Sequence, residues 1–311
     1  VKGFILAAGY GERLMPLTRE TPKCLIPVLN LPAICYSVFL LKEAGIREIM
    51  CNLHYRHREI IRFFQDNNFF GMKVSFSVED EILGTGGGLK KCQEWIGGSD
   101  FILINSDIVL DADLSVLINS HHRSSFPATL LLYRSEKAKH IGSVGVKSDR
   151  VVDFQNMLET GSLSDFIYTG VAVLSPVIFD YLHNEFSSIV RTGFSGLVQN
   201  QSVGYHEHKG FWHDIGTLRS YWETNILWAS QVLSVRERLS GVLGMIPETI
   251  SPEATIKPGA RVTDSVLGRG GVIGEGAVVE RSVVLPGACV KNRAVIKGAV
   301  VSQDTILDIK A

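Results

Sequence analysis

Up to about Arg134 the chain alternates short apolar runs with longer stretches of helical periodicity. "GFILAAG" (3–9), "REIMCNL" (47–53), "KVSFSV" (73–78) and "FILIN" (101–105) read as buried strands. "AICYSVFLLKEAG" (33–45), which ends on glycine, "HREIIRFFQDN" (57–67) and "GGLKKCQEWI" (87–96) read as helices. This alternation predicts right-handed βαβ units, hence an α/β fold with a mostly parallel sheet and helices on both faces. Between Thr129 and Val173 the pattern turns β-rich, with "TLLLYR", "RVVDF" and "IYTGVAVL". Further, partly antiparallel strands are expected there. A helical stretch follows over Leu218–Leu239.

The end of the chain follows another period. Apolar anchors at Ile250, Ile256 and Val262 stand six apart, and after a shift Leu267, Ile273, Val279 and Leu285 do so again. Small residues and turn formers fill the gaps. Six is too short for a helical repeat and predicts a short left-handed β-helix of hexapeptide repeats, three hexads to a turn, with each anchor inward. Lys291 stands where the next anchor is due. The expected domains are residues 1–240 and 241–311.

Composition narrows the functional classes. The 311 residues carry a net charge of −1, which excludes a whole-protein basic field for nucleic acid. Five scattered cysteines, an odd number with no CxxC pair, point to free thiols in a reducing compartment. No apolar run approaches the roughly 18 residues of a membrane span, and no leader-like stretch precedes the first strand. The expectation is a cytoplasmic protein without membrane or nucleic-acid partners.

Chemistry concentrates in "LAAGYGERLMPLTRETPK" (6–23). Gly9 and Gly11 follow the first strand, at the carboxyl edge where open α/β sheets bind ligands. Glycines there let a ligand approach backbone N–H groups. The dinucleotide fingerprint GxGxxG fails, because Leu14 holds the third glycine position. The second strand also ends at Leu53–His54 without a ribose-binding acid, and the Walker pattern is absent. Arg13 offers a guanidinium fork for phosphate and Lys23 a point charge, with Pro16 and Pro22 stiffening the chain between them.

The stretch "LAAGYGERLMPLTRETPKCLIPV" resembles the signature of the sugar-nucleotide pyrophosphorylases, or sugar-phosphate nucleotidyltransferases. The resemblance extends over nearly the whole chain and implies a GT-A/Rossmann-like domain. It implies that Leu6, Ala7, Ala8, Gly9 and Gly11 wrap the nucleotide through their backbone. Arg13 would bind the triphosphate, and Lys23 the phosphates at the reacting centre. "LGTGGGLK" (83–90) resembles the family's second nucleotide loop, with Leu83, Gly84 and Thr85 facing the base. Glu79, just upstream, either accepts from a base or supports that loop.

Bringing two phosphates together needs a divalent cation, and Mg²⁺ takes oxygen ligands with few carboxylates. Asp107 in "LINSDIVLD" follows the fourth strand; "GFWHDIGT" resembles the family's WxDxGT segment, whose acid is Asp214. The resemblance implies that the two share Mg²⁺. Ser106 stands where the family usually has glycine. Asp111 and Asp113 read as turn and helix-start acids. On the sugar side, Thr169 and Gly170 in "IYTGVAV" align with the hexose-binding strand, and Gly145 is a weaker candidate. "QNMLE" replaces the Glu-Lys-Pro segment of many relatives, so a sugar-phosphate grip is missing. His206, His208 and His213 read as outward positions of a strand rather than as a zinc site. Trp212 reads as packing.

The implied reaction makes an NDP-sugar and pyrophosphate from an NTP and a sugar 1-phosphate. "LGTGGG", "GFWHDIGT" and the β-helix tilt towards the mannose-1-phosphate guanylyltransferase-like branch, with GTP ahead of UTP. Uridylyl transfer to N-acetylmuramic acid 1-phosphate or glucose 1-phosphate is the alternative. A non-catalytic, sugar-nucleotide-binding regulator is a further one, although all four charged residues are kept. A hexapeptide acyltransferase would need a coil histidine, and none follows His213. The exposed coil face predicts a homo-oligomer.

Overall fold

The computed structural model describes residues 1–200 and 202–309, and at position 234 the backbone alone. The chain divides into two compact units, Val1–Tyr10 with Ser37–Trp212, and Gly11–Tyr36 with His213–Ala311.

The first unit is built on a nine-stranded sheet. Its strands are β1 (Lys2–Leu6), β2 (Glu48–Leu53), β3 (Lys73–Val78), β4 (Phe101–Asn105), β5 (Ala128–Arg134), β6 (Val144–Lys147), β7 (Arg150–Phe154), β8 (Phe166–Leu174) and β9 (Val203–His208). They lie in the order β3-β2-β1-β4-β8-β5-β9-β7-β6. β3, β2, β1 and β4 are mutually parallel; β8 and β7 oppose their neighbours, and β9 lies parallel to β5. Seven strands therefore point one way, which makes the sheet mostly parallel with antiparallel insertions. Phe4, Leu103, Leu130 and Ala172 join one buried core. Burial on both faces explains why β1 and β4 read as unbroken apolar runs rather than alternating ones. The stretch expected to form one helix over 87–96 is two, Gly84–Lys90 and Gln93–Ile96.

The second unit holds a short hairpin (Pro27–Val28 with Leu31–Pro32), two helices and a parallel β-helix of the left-handed hexapeptide type. The helical stretch expected over Leu218–Leu239 breaks at Val232 into Leu218–Gln231 and Leu233–Leu243. In the coils, Ile256 pairs with Ile273 and Ile273 with Val290; Val262 with Val279 and Val279 with Ile296; Leu267 with Val284 and Val284 with Val301. Each step is 17 residues, not 18. The inward residues run Leu267, Ile273, Val279, Val284, Val290, Ile296 and Val301, all buried. The expected anchor at Leu285 is thus corrected to Val284, and Lys291 interrupts nothing, because the inward residue is Val290. The cause is local. Every five-residue side contains one residue with positive φ, Asp264 (46°), Arg281 (44°) or Gly298 (60°), which turns the corner in one residue fewer. After the last coil, Ile306–Asp308 folds back antiparallel on Ala299–Val301 and covers that edge. No helix of the described residues is long and apolar enough to cross a membrane.

Candidate active site

In the first unit the candidate nucleotide loop leaves the end of β1. The Leu6 carbonyl accepts both the Ser106 amide (3.1 Å) and the Ser106 hydroxyl (2.7 Å). That tether explains a serine where a glycine was the expected residue: its side chain is buried and binds the neighbouring strand end. Asp107 follows on the turn between β4 and the short strand Ile108–Leu110, half-buried. Ala7 donates its amide to Asn52 Oδ1 at 3.0 Å, across the parallel register that sets Leu6 beside Asn52. Ala8 is buried, whereas a side chain added at Gly9 would meet nothing within 4 Å.

Asn52 carries the contact onward. Its Nδ2 donates to Glu79 Oε1 (2.8 Å), while Glu79 Oε2 accepts the Leu83 amide (2.8 Å). Glu79 therefore supports the second loop. Asn52 was not singled out in the sequence, though a polar residue inside the apolar run "IMCNL" is a signal that could have found it.

The glycines of that loop face protein. A Cβ at Gly84 would come within 2.5 Å of the Ser187 carbonyl, at Gly86 within 2.5 Å of Ser187 Oγ, and at Gly87 within 2.3 Å of the Glu185 carbonyl. At Gly88 it would meet Asn52 Nδ2 and Glu79 Oε1, both at 2.5 Å. The Ser187 amide donates to Leu83 and the Gly86 amide to Ser187, and Thr85 Oγ1 accepts the Ile189 amide. The thinning of side chains here thus seats the segment 185–189 on the loop.

Of the sugar-side candidates, Thr169 and Gly170 sit where β8 loses register between Tyr168 and Ala172. Thr169 is buried; its hydroxyl donates to the Leu131 carbonyl (2.7 Å) and its carbonyl accepts Trp212 Nε1 (2.9 Å). Trp212 packs beside Tyr133, as expected of a packing residue. Gly170 has φ 89° and lies against the Asn105 side chain. Gly145 lies apart on β6, against the Ser162 carbonyl. Near it, buried Asp153 accepts from the Phe154, Leu158 and Thr160 amides and the Thr160 hydroxyl. Burial pushes its carboxyl up, but these donors outweigh burial and hold it below the usual range. Asp113 caps the Leu114–Arg123 helix through the Ser115 amide. Among the described residues no cluster of three or more His, Cys, Asp or Glu could hold a metal.

The second unit holds the cationic part. Gly11 has φ 71°, and a Cβ there would lie 2.8 Å from Thr18 Cγ2 and 3.0 Å from Lys23 Cβ. The Thr18 hydroxyl closes this loop on the Gly11 carbonyl (2.9 Å), and Leu14 is fully buried. Asp214 Oδ1 accepts the Gly216 amide (2.7 Å) and the Ser220 hydroxyl (3.0 Å). Thr217 and Ser220 form the capping box that starts the Leu218–Gln231 helix. A Cβ on Gly216 would meet Asp214 Oδ1 at 2.9 Å and Arg13 Nη2 at 3.2 Å, so the fold brings Arg13 and Asp214 around one glycine.

The profile of the nucleotidyl transferase family matches residues 2–231, and that of a GlmU-like C-terminal hexapeptide region matches residues 236–310. A mannose-1-phosphate guanyltransferase of Yarrowia lipolytica is 30% identical over 240 residues, 75% of this chain and 65% of that protein. A UTP–glucose-1-phosphate uridylyltransferase of Synechocystis is 30% identical over 241 residues, 72% of this chain and 62% of that protein. The chain thus spans just under two thirds of either relative. Among solved structures, HddC from Yersinia pseudotuberculosis complexed with GMP-PN superposes with a TM-score of 0.61 at 25% identity, covering 73% of this chain and 99% of that one.

Proposed function

Because the chain belongs to the nucleotidyl transferase family, we propose that it joins an NTP to a sugar 1-phosphate, releasing pyrophosphate, with GTP and mannose 1-phosphate as the pair. The observation that carries this reading is the strand-end loop. Gly9 borders open space, while Gly11 turns the chain towards Arg13 and Lys23. Such a loop suits a ligand that lies against backbone and carries several negative charges.

A phosphate oxygen of the sugar 1-phosphate attacks the α-phosphorus of the NTP, and pyrophosphate leaves in line. The nucleophile is already ionised, so positioning and charge neutralisation carry the rate, without a covalent enzyme intermediate. Arg13 binds the triphosphate and Lys23 the reacting phosphates. Asp107 and Asp214 are the residues that would hold Mg²⁺, which when bound neutralises phosphate charge. Their all-oxygen chemistry fits the ion, and Asp214 is fixed in orientation by Gly216 and Ser220.

The test is pyrophosphate release across four NTPs and several sugar 1-phosphates. Highest turnover with GTP and mannose 1-phosphate is expected. A preference for UTP would favour the alternative suggested by the Synechocystis relative, which is equally similar. Silence in every combination would favour a sugar-nucleotide-binding regulator. Arg13→Ala and Asp107→Asn should each lower kcat/KM by about two orders of magnitude with an unchanged melting temperature; near-normal rates would remove these roles. The same proposal includes self-association, supported by the exposed Ile250, Ile256, Val295 and Ile306 on the coils. A monomer by light scattering at micromolar concentration would overturn it.

A further inference from the structure

Glu79 is almost completely buried, yet it lies in no step of the reaction above. All its polar groups are engaged. Its amide donates to the Leu53 carbonyl (2.7 Å), and its carbonyl lies 2.8 Å from His54 Nδ1. One carboxylate oxygen takes Asn52 Nδ2 and the other takes the Leu83 amide. The amide joins the end of β2, and the other three contacts each lead to a loop. Through Asn52, Glu79 reaches the Ala7 amide; directly, it reaches Leu83. Through His54 it reaches Tyr10, whose hydroxyl lies 2.8 Å from His54 Nε2. A carbonyl can only accept, so Nδ1 carries a proton, and Nε2 holds the Tyr10 hydroxyl.

We propose that Glu79 is a positioning residue that fixes the spacing between the two nucleotide loops, 7–10 and 83–85, and thereby the width of the slot for the nucleoside. This rests on the function proposed above. The directionality of the bonds supports it. Asn52 accepts on one side and donates on the other, so an amide set against a carboxylate satisfies Ala7 and Leu83 together. Gly88 is the third part, because any Cβ there would occupy the space of the Asn52–Glu79 contact.

The bonding pattern gives its own test. Glu79→Gln alone sets an amide donor against either Asn52 Nδ2 or the Leu83 amide. Asn52→Asp alone sets two carboxylates together. The double variant Asn52→Asp/Glu79→Gln restores each bond with its polarity reversed at the centre: the new carboxylate accepts from Ala7 and from the new amide, which in turn accepts from Leu83. Each single variant should raise KM for the NTP about tenfold while KM for the sugar 1-phosphate stays unchanged. The double variant should return to within about threefold of wild type. An unchanged NTP KM in folded single variants overturns the proposal. So does a double variant that melts like wild type but binds the NTP no better than the singles, and so does an equal rise in both KM values. Should the single variants not fold, Tyr10→Phe removes only the hydroxyl of an exposed residue; it should raise the NTP KM alone, and no change overturns the proposal. Calorimetric titration with GTP separates the two readings. Wild type that binds GTP but releases no pyrophosphate counts against the reaction, whereas variants that bind it as tightly as wild type count against the clamp.

Discussion

Gly9 and Gly11 stand two residues apart and serve different ends. Gly11 is required by the fold, through its positive φ and the close approach of Thr18. Gly9 has neither constraint. Gly11→Ala should therefore cost about 1–2 kcal/mol of stability, read as a lower melting temperature. Gly9→Ala should melt like wild type and weaken nucleotide binding, since its open side is where a ligand would press. Asp153 makes a second prediction at this scale. Its lowered carboxyl contributes stability that is fully present above the ordinary aspartate value and is lost as pH falls through the lowered one. Asp153→Asn should cost about 3 kcal/mol at neutral pH. The difference from wild type in urea unfolding should shrink below about pH 4; a constant difference would contradict this.

At the scale of elements, the glycine-rich stretch 84–88 and the coils both show a repeated residue type whose purpose depends on its neighbours. Gly87→Ala would press a methyl onto the Glu185 backbone and should cost about 2 kcal/mol. Gly98→Ala, with nothing nearby, should stay within about 0.5 kcal/mol of wild type. In the coils, the 17-residue step makes Lys291 an outward position. Lys291→Ile should leave the melting temperature unchanged, whereas an 18-residue step would predict stabilisation. Val284→Asp should unfold the coils, because Val284 lies in the apolar column. Period six was legible in the sequence because each side carries its own anchor. The missing residue per turn was not, because either Val284 or Leu285 satisfies an apolar pattern.

For the molecule as a whole, the segment that carries Arg13 and Lys23 belongs to the same compact unit as the coils. Asn30 Nδ2 donates to the carbonyls of Glu248 (2.9 Å) and Leu267 (3.0 Å), the Leu29 amide donates to Asn225 Oδ1, and the Glu248 amide returns to the Leu29 carbonyl. Asn30→Ala should cost about 1 kcal/mol, because it takes the side-chain donor from the Glu248 carbonyl, while the Leu267 carbonyl keeps the Ser251 amide (3.0 Å). Thermal unfolding would check this, and an unchanged midpoint would show that the link is energetically idle. Where a line between residues 240 and 241 divides the chain by sequence pattern, hydrogen bonding through Asn30 ties residues 11–36 to the C-terminal part.

Strand–helix alternation, the hexapeptide period and the charged loop with Arg13 and Lys23 were determined by the sequence itself, because each is written within a few consecutive residues and follows from local geometry and side-chain chemistry. Tertiary structure alone decided which glycines border open space and which face Ser187, Glu185 or Thr18. It alone decided that Glu79 supports a loop, and that Asn52, 27 residues earlier, shares its carboxylate. These depend on what lies across a sheet or beneath a loop. The physical reason is that a hydrogen bond or a steric limit is set by distance in space, which the order of residues along the chain does not contain.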